Sequence, residues 1–247
     1  MTLEDFFSEH NKVAIGFSGG VDSSYLLYEA IRCGAQVGVY YVSTVFQPAF
    51  EREDALRLAD GLGAAVRLVP VDPLADDIIR ANPADRCYHC KRAIFAALTD
   101  AARARGYDSL MDGTNASDDA GDRPGMRALE EMNVLSPLRL CGVTKAQVRE
   151  YSHRAGLFTW NKPAYACLAT RIPTGTPITE GDLRRVAGAE DALFDMGFSD
   201  LRVRLFHGAA RLQLPGEQMA AALERRSAIR AALAPWFDAV LLDLKDR

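Results

Sequence analysis

Four short apolar runs in the N-terminal half, separated by stretches with helical spacing, restrict this chain to a narrow set of folds. KVAIGF (12–17), QVGVYYVS (36–43), AVRLVPV (65–71) and the shorter SLMD (109–112) read as strands. Between them, residues 23–33, 50–62 and 91–105 carry helical periodicity, and the last two end in glycine-containing stops, LGA and RGY. Near-continuous apolar strands alternating with helices indicate an α/β fold, doubly wound, with a mostly parallel sheet covered on both faces. Thr144 and Gln147 form a capping box that opens a further helix, VREYSHRAGL.

From about Thr159 the pattern changes. TWNKPAYACLATRIPTGTPIT contains three prolines and no period, and reads as an ordered loop or linker. Beyond it the spacing predicts a helix over 180–196, strands over 201–206 and 210–214, a helix over 217–233 and a strand over 239–244. That is a small α+β module. The expected division is therefore residues 1–160 and 161–247.

The chain has 247 residues, 49% hydrophobic and 25% charged, the balance of a globular protein. No apolar run approaches the roughly 18 residues that span a bilayer, so no membrane association is expected. MTLEDFFSEHNK lacks the basic start and apolar core of a signal peptide, and a cytoplasmic location is expected. With 29 basic and 33 acidic residues the net charge is −4, which disfavours a broad nucleic-acid surface while allowing a local basic pocket. Five cysteines is an odd number, and a reducing compartment favours ligand or nucleophile roles over disulfides.

The chemistry starts directly after the first strand, at SGGVDSS (18–24). Adjacent Gly19 and Gly20 let the backbone turn sharply and approach a ligand. The helix that follows offers unpaired N–H groups and a partial positive charge, and Ser18, Ser23 and Ser24 add hydroxyl donors. This is neither a Walker loop nor a GxGxxG fingerprint. Ser18-Gly19-Gly20-Val21-Asp22-Ser23-Ser24 resembles the loop of the PP-loop ATP pyrophosphatases. The resemblance implies ATP cleavage between the α and β phosphates, adenylation of a substrate oxygen, and Asp22 beside pyrophosphate and Mg²⁺. DGTNASD (112–118) matches a second family stretch, in which Gly113 would let the backbone approach the nucleotide. Arg123, in DRPG, is a candidate for the α-phosphate. Lys91 reads either as a solvated helix residue or as a pyrophosphate ligand.

RCYHCK (86–91) places Cys87 and Cys90 three residues apart. Such a pair can hold zinc, shuttle a disulfide, ligate an iron–sulfur cluster or fill space. No second CxxC or His pair follows at zinc-finger spacing. Cys33 and Cys141 have the neighbours of packed positions.

RCYHCK, DRPG, ACLATRIPTGTPIT, the 190–198 stretch ExxLxxxGF and RVR (202–204) together resemble one subfamily, the ATP-dependent sulfur transferases of lactate racemase maturation, the LarE type. The likeness covers nearly the whole chain. It implies ATP-dependent conversion of the carboxylates of a pyridinium biscarboxylic acid mononucleotide into thiocarboxylates, on the route to a nickel-pincer nucleotide. By the same resemblance Cys167 handles the sulfur, which comes either from a cysteine that ends as dehydroalanine or from a sulfide on a cluster. The three-cysteine set implies Cys87, Cys90 and Cys167 as ligands of a [4Fe–4S] cluster with one open iron. Arg202, Arg204, Arg171 and Glu190 are assigned to the substrate phosphate. A homo-oligomer and a sulfur-donor protein are the expected partners. Two alternatives are an iron–sulfur tRNA thiolase, which a basic surface should accompany, and an ammonia-using amide synthetase, which leaves the three cysteines unused. A nucleotide-binding regulatory protein without turnover is a third.

Overall fold

The structure is a computed structural model that describes residues 1–118 and 124–245. In chain order the elements are α1 (Leu3–Glu9), β1 (Lys12–Gly16), α2 (Val21–Arg32), β2 (Gln36–Ser43), α3 (Ala49–Gly61), β3 (Val66–Pro70), α4 (Asp77–Ala81), α5 (Arg86–Arg103) and β4 (Leu110–Met111). They continue with α6 (Pro124–Glu131), α7 (Pro137–Leu140), α8 (Lys145–Arg154), α9 (Glu180–Asp195), β5 (Arg202–Phe206), β6 (Ala209–Gln213), α10 (Gly216–Glu224), α11 (Arg226–Leu233) and β7 (Val240–Leu242). The chain divides into two compact units, one of Met1–Pro73 with Asp85–Ala164, the other of Leu74–Ala84 with Tyr165–Arg247.

The first unit is built on a parallel sheet of order β3-β2-β1-β4. Side chains alternate along each strand, so each strand supplies both faces. Val13, Ile15, Val39 and Tyr41 pack with buried residues of α1, α2, α3 and α8. Ala14, Tyr40 and Val42 point the other way, against Phe95, Leu98 and Ala102 of α5 and Leu129 of α6. This is the doubly wound arrangement read from the sequence.

Local signals explain the ends. Thr2 and Asp5 form a reciprocal capping box that starts α1, and the two bonds to the caps hold the Asp5 carboxyl below its ordinary pKa. The expected box at Thr144 and Gln147 starts α8. One boundary moves materially. α5 begins at Arg86, not near residue 91, so the RCYHC stretch is its first turn and a half.

The second unit carries a three-stranded sheet of order β5-β6-β7. β5 and β6 form a hairpin over His207 and Gly208, at φ 49° and 85°. Two successive positive φ values are what a two-residue hairpin turn with matching twist requires. Leu183, Val186, Ala189 and Leu193 are the buried face of α9. The helix expected over 217–233 is two helices, parted at Arg225, which ends α10 and precedes α11. Segment 74–84, read in sequence with the N-terminal domain, groups with this unit. Its Asn82, wholly buried at φ 57°, donates to the carbonyls of Pro173 (2.8 Å) and Thr176 (3.1 Å).

Candidate functional site

In the first unit the chain runs β1→β2→β3 to one side, then returns so that β4 pairs with the opposite edge of β1. A crevice opens at such a reversal, beyond the carboxyl ends of the strands, and open α/β sheets bind ligands there. The loop 18–24 leaves β1 at this point, and 112–118 leaves β4.

Gly19 has φ +70°, and a Cβ there would stand 2.6 Å from the Cβ of Ala55 on α3. Gly113 is as constrained, because an added Cβ would lie 2.7 Å from the Ser23 amide nitrogen. The β4 loop is thus seated directly on the first turn of α2. Gly20 caps α2 without a side-chain cap bond among the described residues, so the first turn of the helix keeps amide donors for a ligand. Ser18 and Ser23 stiffen the loop, with their hydroxyls 3.0 Å apart and Ser23 Oγ donating to Gly20 O at 3.2 Å. Ser24 Oγ is buried with no hydrogen-bond partner among the described residues. A bare, donor-rich cradle of this kind fits a polyphosphate.

Asp22 stands at the edge of the cradle. Its Oδ1 accepts from Asn115 Nδ2 at 3.2 Å and its Oδ2 from Lys145 Nζ at 2.5 Å. Asp112 locks the neighbouring loop by accepting from Thr114 N, Thr114 Oγ1 (2.5 Å) and Ser136 Oγ (2.6 Å). Sequence reasoning missed Asn115 and Lys145. Asn115 lies inside DGTNASD (112–118), but Lys145 shows in the sequence only as the second residue of a capping box. Arg123 lies outside the described residues. Lys91 runs its side-chain stem along α6, where a Cβ on Gly125 would meet its Cδ at 2.9 Å.

Cys87 and Cys90 occupy the first turns of α5 with helical i, i+3 spacing, Cys87 exposed and Cys90 half-buried. That spacing puts both sulfurs on one face, a donor pair suited to a soft metal or a cluster. Cys167 is half-buried in the second unit, just ahead of the 3₁₀ turn Leu168–Arg171. The three thiols are divided between the two units. Among the described residues no group of three or more His, Cys, Asp or Glu forms a metal-binding set. Cys33 and Cys141 pack against the core, and burial pushes both thiols above their ordinary pKa.

In the second unit the expected phosphate residues surround a buried ion pair. Arg171 Nε donates to Glu190 Oε1 at 2.8 Å and Nη2 to Oε2 at 3.0 Å, with Arg171 and Glu190 each 1% exposed. The other arm of Arg171 donates to the carbonyls of Ala166 (2.7 Å) and Cys167 (3.3 Å) and to Thr170 Oγ1 (3.0 Å). Every guanidinium nitrogen of Arg171 is therefore committed within the protein. Glu190 also accepts from the Val203 amide (2.8 Å) and from the Tyr165 hydroxyl. Tyr165, unnoticed in the sequence, lies between Arg171 (4.6 Å) and Arg202 (4.8 Å), and burial raises its pKa above the normal phenol value. Arg202 Nη1 donates to Leu201 O at 2.7 Å, while Arg204 donates to Gln213 Oε1 (2.5 Å) and to Thr170 O. Burial, with Arg171 close by, lowers the pKa of both Arg202 and Arg204. Three guanidinium groups are thus gathered around Tyr165 and Glu190, with Arg171 paired directly to the carboxylate.

A doubly wound parallel sheet with SGGVDSS at its switch point is the architecture of a PP-loop ATP pyrophosphatase. No family model matches the chain. It is 39% identical over 220 residues to the uncharacterized protein slr1717 of Synechocystis, covering 88% of this chain and 81% of that one. It is 34% identical over 217 residues to the pyridinium-3,5-bisthiocarboxylic acid mononucleotide synthase of Lactiplantibacillus plantarum, covering 87% and 78%. A shorter match, 26% over 144 residues and 49% of this chain, is to the tRNA-specific 2-thiouridylase MnmA of Thermotoga petrophila. The chain belongs to the pyridinium-3,5-bisthiocarboxylic acid mononucleotide synthase family, the LarE family.

Proposed function

We propose that this protein is an ATP-dependent sulfur transferase that turns carboxylates of pyridinium-3,5-biscarboxylic acid mononucleotide into thiocarboxylates. The observation that carries the reading is the 217-residue match to the Lactiplantibacillus synthase, whose length takes in sequence of both units. The likeness to the tRNA thiolase covers about half the chain, and the net charge of −4 offers little to RNA.

A carboxylate is a poor electrophile, and adenylation supplies its leaving group. In the proposed reaction a carboxylate oxygen attacks the α-phosphorus of ATP and pyrophosphate departs. A sulfur nucleophile then displaces AMP, leaving a thiocarboxylate. Ser18, Gly19, Gly20, Val21, Ser23 and Ser24 would cradle the phosphates, with Gly113 allowing close approach. Asp22 would hold Mg²⁺, which supplies charge neutralisation at the departing pyrophosphate. Lys91 and Arg123 are the remaining candidates for phosphate contact.

Arg202 and Arg204 are assigned the mononucleotide phosphate, for which guanidinium forks are suited. Arg171 and Glu190 act by position, since Arg171 holds the Ala166 and Cys167 carbonyls and so sets the loop that presents Cys167. Cys87, Cys90 and Cys167 would hold a [4Fe–4S] cluster, whose iron lacking a protein ligand supplies a site for transferable sulfide. A homo-oligomer, a sulfur-donor protein and a cytoplasmic location complete the proposal.

The test is anaerobic turnover with ATP, Mg²⁺, sulfide and the biscarboxylate mononucleotide, followed by mass spectrometry. The expected products are AMP, pyrophosphate and a mononucleotide with sulfur in place of carboxylate oxygen. ADP and phosphate, or pyrophosphate release without a sulfur-containing product, would overturn it.

A further inference from the structure

Two helices of the first unit reach the nucleotide loop, and the same two hold the segment that leads to Cys167. On α3, Ala55 fills the space beside Gly19, while the adjacent Asp54 sits 2.9 Å from Lys162 Nζ. Arg57, one turn on, pairs with Asp54 at 2.9 Å and lies 4.3 Å from the Phe158 ring centre. On α8, Lys145 reaches Asp22, and Arg149 one turn later donates to the carbonyls of Trp160 (2.8 Å) and Lys162 (3.0 Å).

The grip is specific in its chemistry. Lys162 Nζ is screened from solvent and has no hydrogen bond among the described residues beyond its ion pair with Asp54. This shielded ammonium, which also stands 5.9 Å from the Phe50 ring centre, is strongly tied to its carboxylate, because separating them leaves a buried charge uncompensated. Arg149 holds backbone carbonyls, so it fixes the path of the chain at 160–162 whatever side chains it carries. Helices move as stiff bodies, and a shift in a first turn is carried to the next.

We propose that α3 and α8 couple nucleotide binding to Cys167, with Asp54, Lys162 and Arg149 as positioning residues. This rests on the reading that loop 18–24 binds ATP and that Cys167 handles sulfur. Nucleotide entering the cradle meets Gly19 and Asp22, and both report to helices that hold residues 158–162. Cys167 follows Lys162 by five positions. Sulfur handling would then be set by whether the adenylation site is filled, which protects a reactive sulfur until an acceptor is present.

The test is peptide-resolved maleimide labelling of Cys167 in the full chain, anaerobically, with and without Mg²⁺ and α,β-methylene ATP. The wild-type rate should change about fivefold or more with nucleotide, within the usual range of coupling between sites. Asp54→Asn, Lys162→Met and Arg149→Ala should lose most of that change while binding the nucleotide within about twofold of wild type. Arg149→Lys, which keeps the charge but not the fork, gives the same readout should the larger changes prevent folding. Thiocarboxylate formed per AMP released should fall in the same variants. A wild-type rate indifferent to bound nucleotide overturns the coupling and leaves the sulfur transferase reading intact. Variants that keep the full nucleotide response overturn it equally, because a merely structural clamp would behave so. Failure of the wild type to bind nucleotide overturns both.

Discussion

Lys145 and Asp22 are 123 residues apart in the chain, yet Lys145 Nζ stands 2.5 Å from Asp22 Oδ2. The pair joins the first turn of α8 to the first turn of α2 at the mouth of the phosphate cradle. Lys145→Met should lower pyrophosphate release about tenfold, a charge-assisted contact reduced by solvent screening of a side chain one third exposed. Lys145→Arg should recover part of that loss. Asp22→Asn should abolish release altogether, and a steady-state pyrophosphate assay compares all three.

Glu190 compensates Arg171 inside the second unit. Glu190→Ala strands a guanidinium that is almost fully buried, and should destabilise that unit by about 3–5 kcal/mol in urea unfolding. Glu190→Gln, which keeps acceptor and shape, should cost clearly less. Equal losses for the two variants would show that packing, not charge, dominates there.

Arg202→Ala should weaken the mononucleotide far more than ATP, since Arg202 lies in the second unit beside Tyr165 and Arg171, in the arginine cluster assigned to the substrate phosphate. Calorimetric titration with each ligand separates the two effects. An equal loss of both affinities would remove Arg202 from the substrate phosphate.

The cysteines separate by role. Anaerobic reconstitution should load iron into the wild type, and Cys87→Ala, Cys90→Ala and Cys167→Ala should each reduce uptake and turnover. Full turnover in Cys87→Ala and Cys90→Ala, with Cys167 converted to dehydroalanine, would make Cys167 itself the sulfur source. Cys33 and Cys141, raised in pKa chiefly by burial, carry less thiolate at mild pH and should alkylate slowly there, faster as pH rises.

Burial pushes Tyr41 up to about 12 and raises Tyr40, and the hydroxyls of both are buried without a hydrogen-bond partner among the described residues. Between pH 10 and about 12 the folded chain then keeps a proton on Tyr41 that the unfolded chain has lost. Stability from this source is full below pH 10 and falls as pH rises through that window. A phenolate absorbance titration alongside unfolding at each pH measures it, and Tyr41→Phe should flatten the fall.

What the sequence by itself determined is what neighbours in the chain determine. The four strands of the first sheet, the glycine-rich turn after β1 and the capping box at Thr144 are local, because apolar runs, positive φ and cap bonds act within a few residues. The tertiary structure alone decided the rest. Strand order put the loops after β1 and β4 side by side, and so gave Asp22 its partners Asn115 and Lys145. The resemblance assigned Arg171 and Glu190 to the substrate phosphate, and nothing local in the sequence pairs one with the other. Folding buried both and turned them to one another, since neither charge is tolerable in the interior without its partner. Contacts between residues distant in the chain leave no local period or composition to read.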